Sequence, residues 1–201
     1  IKINSDNYDA WRELAKFHIV VGNNVMLPKD RQDKSKAIKY AEEMLRVRPK
    51  APNAHQFRAN IERQHSNFEE ANKLYQKMVD VCNETGSTAK STALIISAHN
   101  LLFSGQLENS MTRYDEAIAI SSTPQTAHNL KLYKAVANLF YDKYYNGLDV
   151  LDEMIKDVGE TSTSKQAVNQ NTAQIYWNKM MMQGHNQQKS EAFKSLAKFK
   201  E

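Results

Sequence analysis

The sequence predicts an all-α fold built from repeated helical hairpins. Three observations carry that expectation. Glycine and proline are scarce: 6 Gly and 4 Pro in 201 residues, about 5% against a background near 12%. That is too few turn-formers for a many-stranded sandwich or barrel. Apolar residues recur at i, i+3 and i+4 in stretch after stretch, the spacing of one helix face. Finally, the segments between these stretches are short, which makes successive helices antiparallel neighbours. Hydrophobic residues make up 41% of the chain and aromatics 9%, enough for a core and too much for a wholly disordered chain.

Taken in order, residues 8–20 place Trp11, Leu14, Ala15, His18 and Ile19 on one face, with Asn4 to Asn7 as N-cap candidates. Residues 22–34 read as a loop. Residues 36–47 align Ala37, Ile38, Ala41, Met44 and Leu45; Ser35 is the expected cap, and Pro49 and Pro52 stop the helix. A more polar third helix covers 53–65. Asn67 with Glu70 resembles a capping box opening a fourth helix, which carries Ala71, Leu74, Tyr75, Met78 and Val79. Residues 82–91 read as a loop, and 92–103 as the most apolar helix. The next helix begins near Glu108, with Met111, Tyr114, Ala117 and Ile118 inward. Pro124 suits a helix start. The remaining helices are placed at 126–144, 148–157, 166–182 and 190–200. The expectation is thus about ten helices and no strand. The apolar Tyr176, Trp177 and Met180 to Met182 are expected to pack beneath the last helix.

A size pattern repeats along this array. The second helix of each pair carries a small residue, a large apolar or aromatic residue four on, and another inward residue three later. The best sets are Ala37/Ala41/Met44, Ala71/Tyr75/Met78, Ser110/Tyr114/Ala117 and Gly147/Leu151/Met154; a weaker fifth is Ala192/Leu196/Phe199. With Trp11, Leu14, Ala15, Pro49, Ala59, Ala98, Leu101 and Gly105 at matching places, the chain resembles the tetratricopeptide-repeat family, in a divergent form. It departs from the family pattern at His55, where a large apolar residue normally stands, at Gly147, and in its longer spacings. The resemblance implies a right-handed α-solenoid of about five antiparallel hairpins in one domain, with repeats at roughly 5–50, 51–88, 89–124, 125–160 and 164–201. It also implies a concave groove lined by the first helices of the pairs. The expected function is a non-enzymatic scaffold that binds a peptide segment or partner protein in that groove, as part of a larger assembly.

In the inferred register the groove residues are Arg12, Lys16, Gln56, Asn60, Gln64, His99 and Tyr133. Asn and Gln, 18 and 12 of them in the chain, both donate and accept hydrogen bonds and suit an extended peptide backbone. Arg12, Lys16 and Asn60 match part of the clamp with which some family members hold a C-terminal carboxylate. Thr92 and Ile96 stand where the third repeat would need basic residues, so a chaperone-tail clamp is not expected. The alternative function is nucleic-acid or acidic-ligand binding. The net charge of +4 lies entirely in residues 1–100, which hold six of the seven Arg. A basic patch of Arg46, Arg48, Lys50, Arg58 and Arg63 would serve it.

No catalytic or cofactor chemistry is expected. The six His show no ligand spacing, and Glu62-x-x-His65 is a single copy where a di-iron site needs two. Cys82 follows Val79 and Val81 and reads as a half-buried structural thiol. No phosphate loop or Gly-x-Ser-x-Gly is present. No apolar run approaches the ~18–20 residues of a membrane span. A soluble chain is expected, with the cytoplasm favoured. Its start at Ile1 reads as that of a fragment of a longer protein.

Overall fold

The computed structural model describes residues 5–21, 24–25, 27–161 and 165–200. It is an all-α helical repeat fold with ten described α-helices: α1 (Tyr8–Lys16), α2 (Lys34–Val47), α3 (Pro52–Gln64), α4 (Phe68–Thr85), α5 (Lys90–Phe103), α6 (Leu107–Ala119), α7 (Pro124–Phe140), α8 (Tyr144–Thr161), α9 (Lys165–His185) and α10 (Lys189–Lys200). These helices form two compact units, residues 1–106 and 107–201. Within each unit every helix packs on the next in sequence.

Asn7, Asp33 and Thr123 cap the starts of α1, α2 and α7, with two corrections to the sequence reading. Asn7 caps α1, its Oδ1 accepting from the Ala10 N–H at 3.0 Å. The cap of α2 is Asp33, which accepts from the Lys36 N–H at 3.1 Å. Ser35 lies inside this helix, which starts ahead of its apolar stripe. Asn67 precedes α4 but makes no side-chain cap; its amide N–H instead donates to the buried Glu62 carboxylate at 3.0 Å. α1 is shorter than its stripe. The chain leaves it through a turn, and Val20–Val21 (β1) pairs antiparallel with Asn24–Val25 (β2), a minimal ladder where no strand was expected. α4 continues through Cys82 to Thr85, so the predicted loop at 82–91 shrinks to its second half. Gly86, at φ 62°, then ends the helix.

Four of the five predicted anchor sets are the core, whereas the fifth is not: Ala192 and Leu196 are half-buried and Phe199 is exposed. Ala37, Ala41, Met44, Ala71, Tyr75, Met78, Ser110, Tyr114, Ala117, Leu151 and Met154 are all buried. Small side chains at these points let helix axes approach to about 8–10 Å. At Gly147 the approach is tighter still. A Cβ there would lie 2.7 Å from Met182 Sδ and 3.0 Å from the Ala135 carbonyl oxygen, so the departure from the repeat pattern at this position is a packing requirement. The apolar stretch near the end is split by the helical period: Met182 is buried, whereas Trp177 and Met181 are exposed.

Four hairpin turns share one geometry. Ser66, Gly105, Asp142 and Gln187 all have positive φ. The next residue's N–H returns to the carbonyl five positions back: Asn67 to Glu62, Gln106 to Leu101, Lys143 to Asn138, and Gln188 to Gln183, at 2.8–3.0 Å. This is the Schellman closure of a helix end. In each case the small anchor of the next helix (Ala71, Ser110, Gly147, Ala192) follows five residues later.

Candidate binding surface

In the first unit, α3 and α5 lie side by side, and both were expected to face a groove. Asn60 on α3 accepts a hydrogen bond from the Tyr75 hydroxyl of α4 at 2.6 Å. The Arg63 guanidinium, three residues along the same helix, acts on that phenol too, lowering its pKa against the larger upward push of burial. The phenol donates its proton to Asn60 Oδ1. The ring of Tyr75 is buried and anchors this bond to the core. His99 of α5 is half-buried; desolvation lowers its pKa, and the charge of Arg63 lowers it further. The imidazole is therefore neutral near pH 7 and can both donate and accept. Arg63 is exposed and pairs with no carboxylate among the described residues. The result is a half-exposed polar cluster of one cation, one neutral imidazole and one amide.

Of the expected groove residues, Asn60 and His99 meet at this cluster. Gln56 lies one turn before Asn60 and is half-buried, and Gln64 lies one turn after it and is exposed. Arg12 and Lys16 on α1 form their own surface ion cluster: Arg12 contacts Asp9 at 3.1 Å and Glu13 at 3.2 Å, and Lys16 contacts Glu13 at 2.7 Å. Tyr133 belongs to the second unit, where its ring lies 6.4 Å from that of Tyr114.

The five patch residues are dispersed among intramolecular partners. Arg46 binds Glu43 and Asp6, and Arg48 sits over the Tyr8 ring at 4.7 Å. Lys50 faces Glu84 at 3.5 Å. Arg58 is largely buried against Glu62 at 2.6 Å. Arg63 alone turns to the α3–α5 cluster.

Sequence reasoning missed Glu62 as a structural group. It is only 3% exposed and takes hydrogen bonds from Lys34 of α2 at 2.8 Å, Arg58 of α3 at 2.6 Å and Asn67 at 3.0 Å. Burial pushes its pKa up, but those three donors overcome burial and hold it at about 2. Cys82 is buried, and burial raises its thiol pKa; this is an inert thiol rather than a nucleophile. Among the described residues no group of three His, Cys, Asp or Glu is placed to hold a metal, and no helix is long and apolar enough to cross a membrane.

No protein-family model and no curated protein matches the chain. Solved structures do. Kinesin-light-chain TPR-like repeats from Podosopora anserina superpose with a TM-score of 0.66 at 13% identity, covering 99% of this chain and 96% of that one. MamA from Desulfovibrio magneticus RS-1 gives 0.63 at 10% identity, over 99% and 95%. YrrB, described as a TPR protein with an unusual peptide-binding site, gives 0.58 at 10% identity, over 98% and 86%. This chain has a divergent tetratricopeptide-repeat fold. At such identities the likeness is one of architecture, and the polar cluster around Tyr75 has to be read from its own chemistry.

Proposed function

We propose that this protein is a non-enzymatic interaction scaffold that holds an extended segment of a partner protein across the α3–α5 face of its first unit. One observation carries the reading: the Tyr75–Asn60 hydrogen bond, with the Arg63 charge and the His99 imidazole beside it, presents donors and acceptors at a surface with a packed core behind it. A peptide backbone offers one N–H and one carbonyl per residue, and such a cluster, with Gln56 and Gln64 on either side, matches that alternation. The tetratricopeptide-repeat fold supports the reading, as does the peptide-binding site named for YrrB.

Photo-crosslinkers placed at Gln56, Gln64 and His99 test it. Peptide adducts are expected there, and Asn60→Ala with Arg63→Ala should weaken capture at least tenfold. Full capture by that double variant would overturn the assignment. The nucleic-acid alternative predicts steep salt dependence. Arg46, Arg48, Lys50 and Arg58 already hold intramolecular partners, so no observation favours it; absence of RNA or DNA retardation at low salt would dispose of it.

A further inference from the structure

In the second unit, the end of α9 and the start of α10 enclose an open cleft of about 370 Å³, walled by Met180, Met181, Gly184, His185, Ala192, Phe193 and Leu196. It is far larger than a trapped water needs and falls within the range of ligand sites. Phe193 stands 71% exposed on its edge.

We propose that this cleft docks an amphipathic helix of a partner protein, one with a large apolar side chain on one face and acidic side chains beside it. Three features specify that occupant. The first is Gly184. Glycine weakens a helix relative to alanine, and nothing lies within 4 Å of where its Cβ would stand. Unlike Gly147, it is not required by internal packing. Its bare backbone leaves room for a second helix to approach closely, as small residues do at helix crossings. The second is the pair Met180 and Met181, flexible thioethers that mould to an inserted side chain. The third is charge. The cleft walls contain no carboxylate. Lys189 lies one turn before Phe193 on the same face of α10, exposed and without a carboxylate partner among the described residues. α10 carries four Lys and one Glu, and that Glu191 is held by Lys194 at 2.8 Å. A second copy of this chain would oppose lysines to lysines. An acidic helix satisfies both the shape and the sign.

The test uses the 201-residue chain labelled at its methionine methyls. The probe is a designed helical peptide of about 18 residues, long enough to be helical, with a leucine stripe flanked by glutamates; the control carries lysines in their place. Saturable shifts of the Met180 and Met181 methyls with the acidic peptide are expected. Phe193→Ser should weaken binding at least tenfold. Lys189→Glu should weaken it at least threefold while improving the basic control. Because both residues are exposed, unchanged circular dichroism is expected for both variants. Asn60→Ala/Arg63→Ala should leave these shifts untouched, since both residues belong to the first unit and the cleft to the second. Equal binding of the two peptides, or none, overturns the proposal. So does a concentration-dependent dimer abolished by Phe193→Ser, or methyl shifts caused by phosphatidylserine vesicles and not by the peptide.

Discussion

Four residues before the hairpin turn, the first unit carries Glu62, whose carboxylate gathers Lys34, Arg58 and Asn67 from three stretches of chain. The second unit carries neutral amides at the same place. Asn138 donates to the Lys134 carbonyl at 2.9 Å, and Gln183 accepts from Ser195 at 2.8 Å. An amide is satisfied within one helix or one pair. A buried charge is tolerable only when several donors converge on it, so it fixes the relative placement of α2, α3 and the start of α4. The second unit achieves its tightest registration by shape, through the bare Gly147 against Met182 and Ala135. One fold thus holds its helices by convergent charge in one half and by close approach in the other.

The largest effect should come from removing the charge. Glu62→Ala strands Arg58 in a site where its side chain is only 13% exposed, and should cost about 3–5 kcal/mol. The loss should be localised by hydrogen exchange to α2–α4. A loss under ~1 kcal/mol would erase the distinction between the units. The same carboxylate gives a pH signature. Its folded pKa of about 2 lies below its ordinary 4.5, so its stabilisation is complete above pH 4.5 and drains away as pH falls toward 2. Urea melts should show a steeper decline in the wild-type chain than in Glu62→Gln.

A smaller effect is expected on the other side of the comparison. Gly147→Ala gains about 1 kcal/mol of helix propensity but overpacks the α7–α8–α9 contact, for a cost of roughly 1–3 kcal/mol. A net loss confined to α7–α9 amides is expected, partly relieved by Met182→Ala. A gain in stability would show that Met182 simply swings aside.

The smallest effects belong to the turns and should be alike in both units. Ser66→Gly and Asp142→Gly remove a left-handed penalty of about 1–2 kcal/mol, offset in part by a freer unfolded chain. Each should raise stability by a few tenths of a kcal/mol in thermal melts. Gly105→Ala should cost a similar amount, since no atom crowds that position and the penalty is purely conformational. A difference in sign between the Ser66 and Asp142 variants would show that the two units do not share the turn.

The helices and their small-to-large anchors were legible in the sequence because both depend on side-chain size at a fixed period. The buried polar residues Glu62, Asn100, Asn138 and Gln183 were not: a polar residue in a helix reads as surface unless its partners are known, and Lys34 for Glu62 and Asn72 for Asn100 each stand 28 residues away. The left-handed turns at Ser66, Asp142 and Gln187 were hidden for the converse reason, lacking the glycine that marks Gly105. At the candidate site, helical spacing placed Asn60 and His99 on the first helices of their pairs, α3 and α5. Arg63 was grouped with Arg58 because the two are close in the chain, although five positions on a helix turn their side chains to different faces. Tyr75 read as core, correctly for its ring, while its hydroxyl reaches the polar edge.

The repeated turn also acts as a ruler. Because the left-handed residue and the next small anchor are always five positions apart, the distance from turn to core contact is fixed in each of those four hairpins. The intervals between successive anchors vary from 37 to 45 residues. All of that variation falls between one anchor and the next turn, in the links and in longer helices such as α8 and α9, of 18 and 21 residues. The chain can therefore lengthen or shorten at the seams between hairpins without disturbing the packing inside any of them. Insertions, whether arising naturally or by design, belong after Gly86 or between Ala119 and Pro124, and not at Ser66 or Asp142.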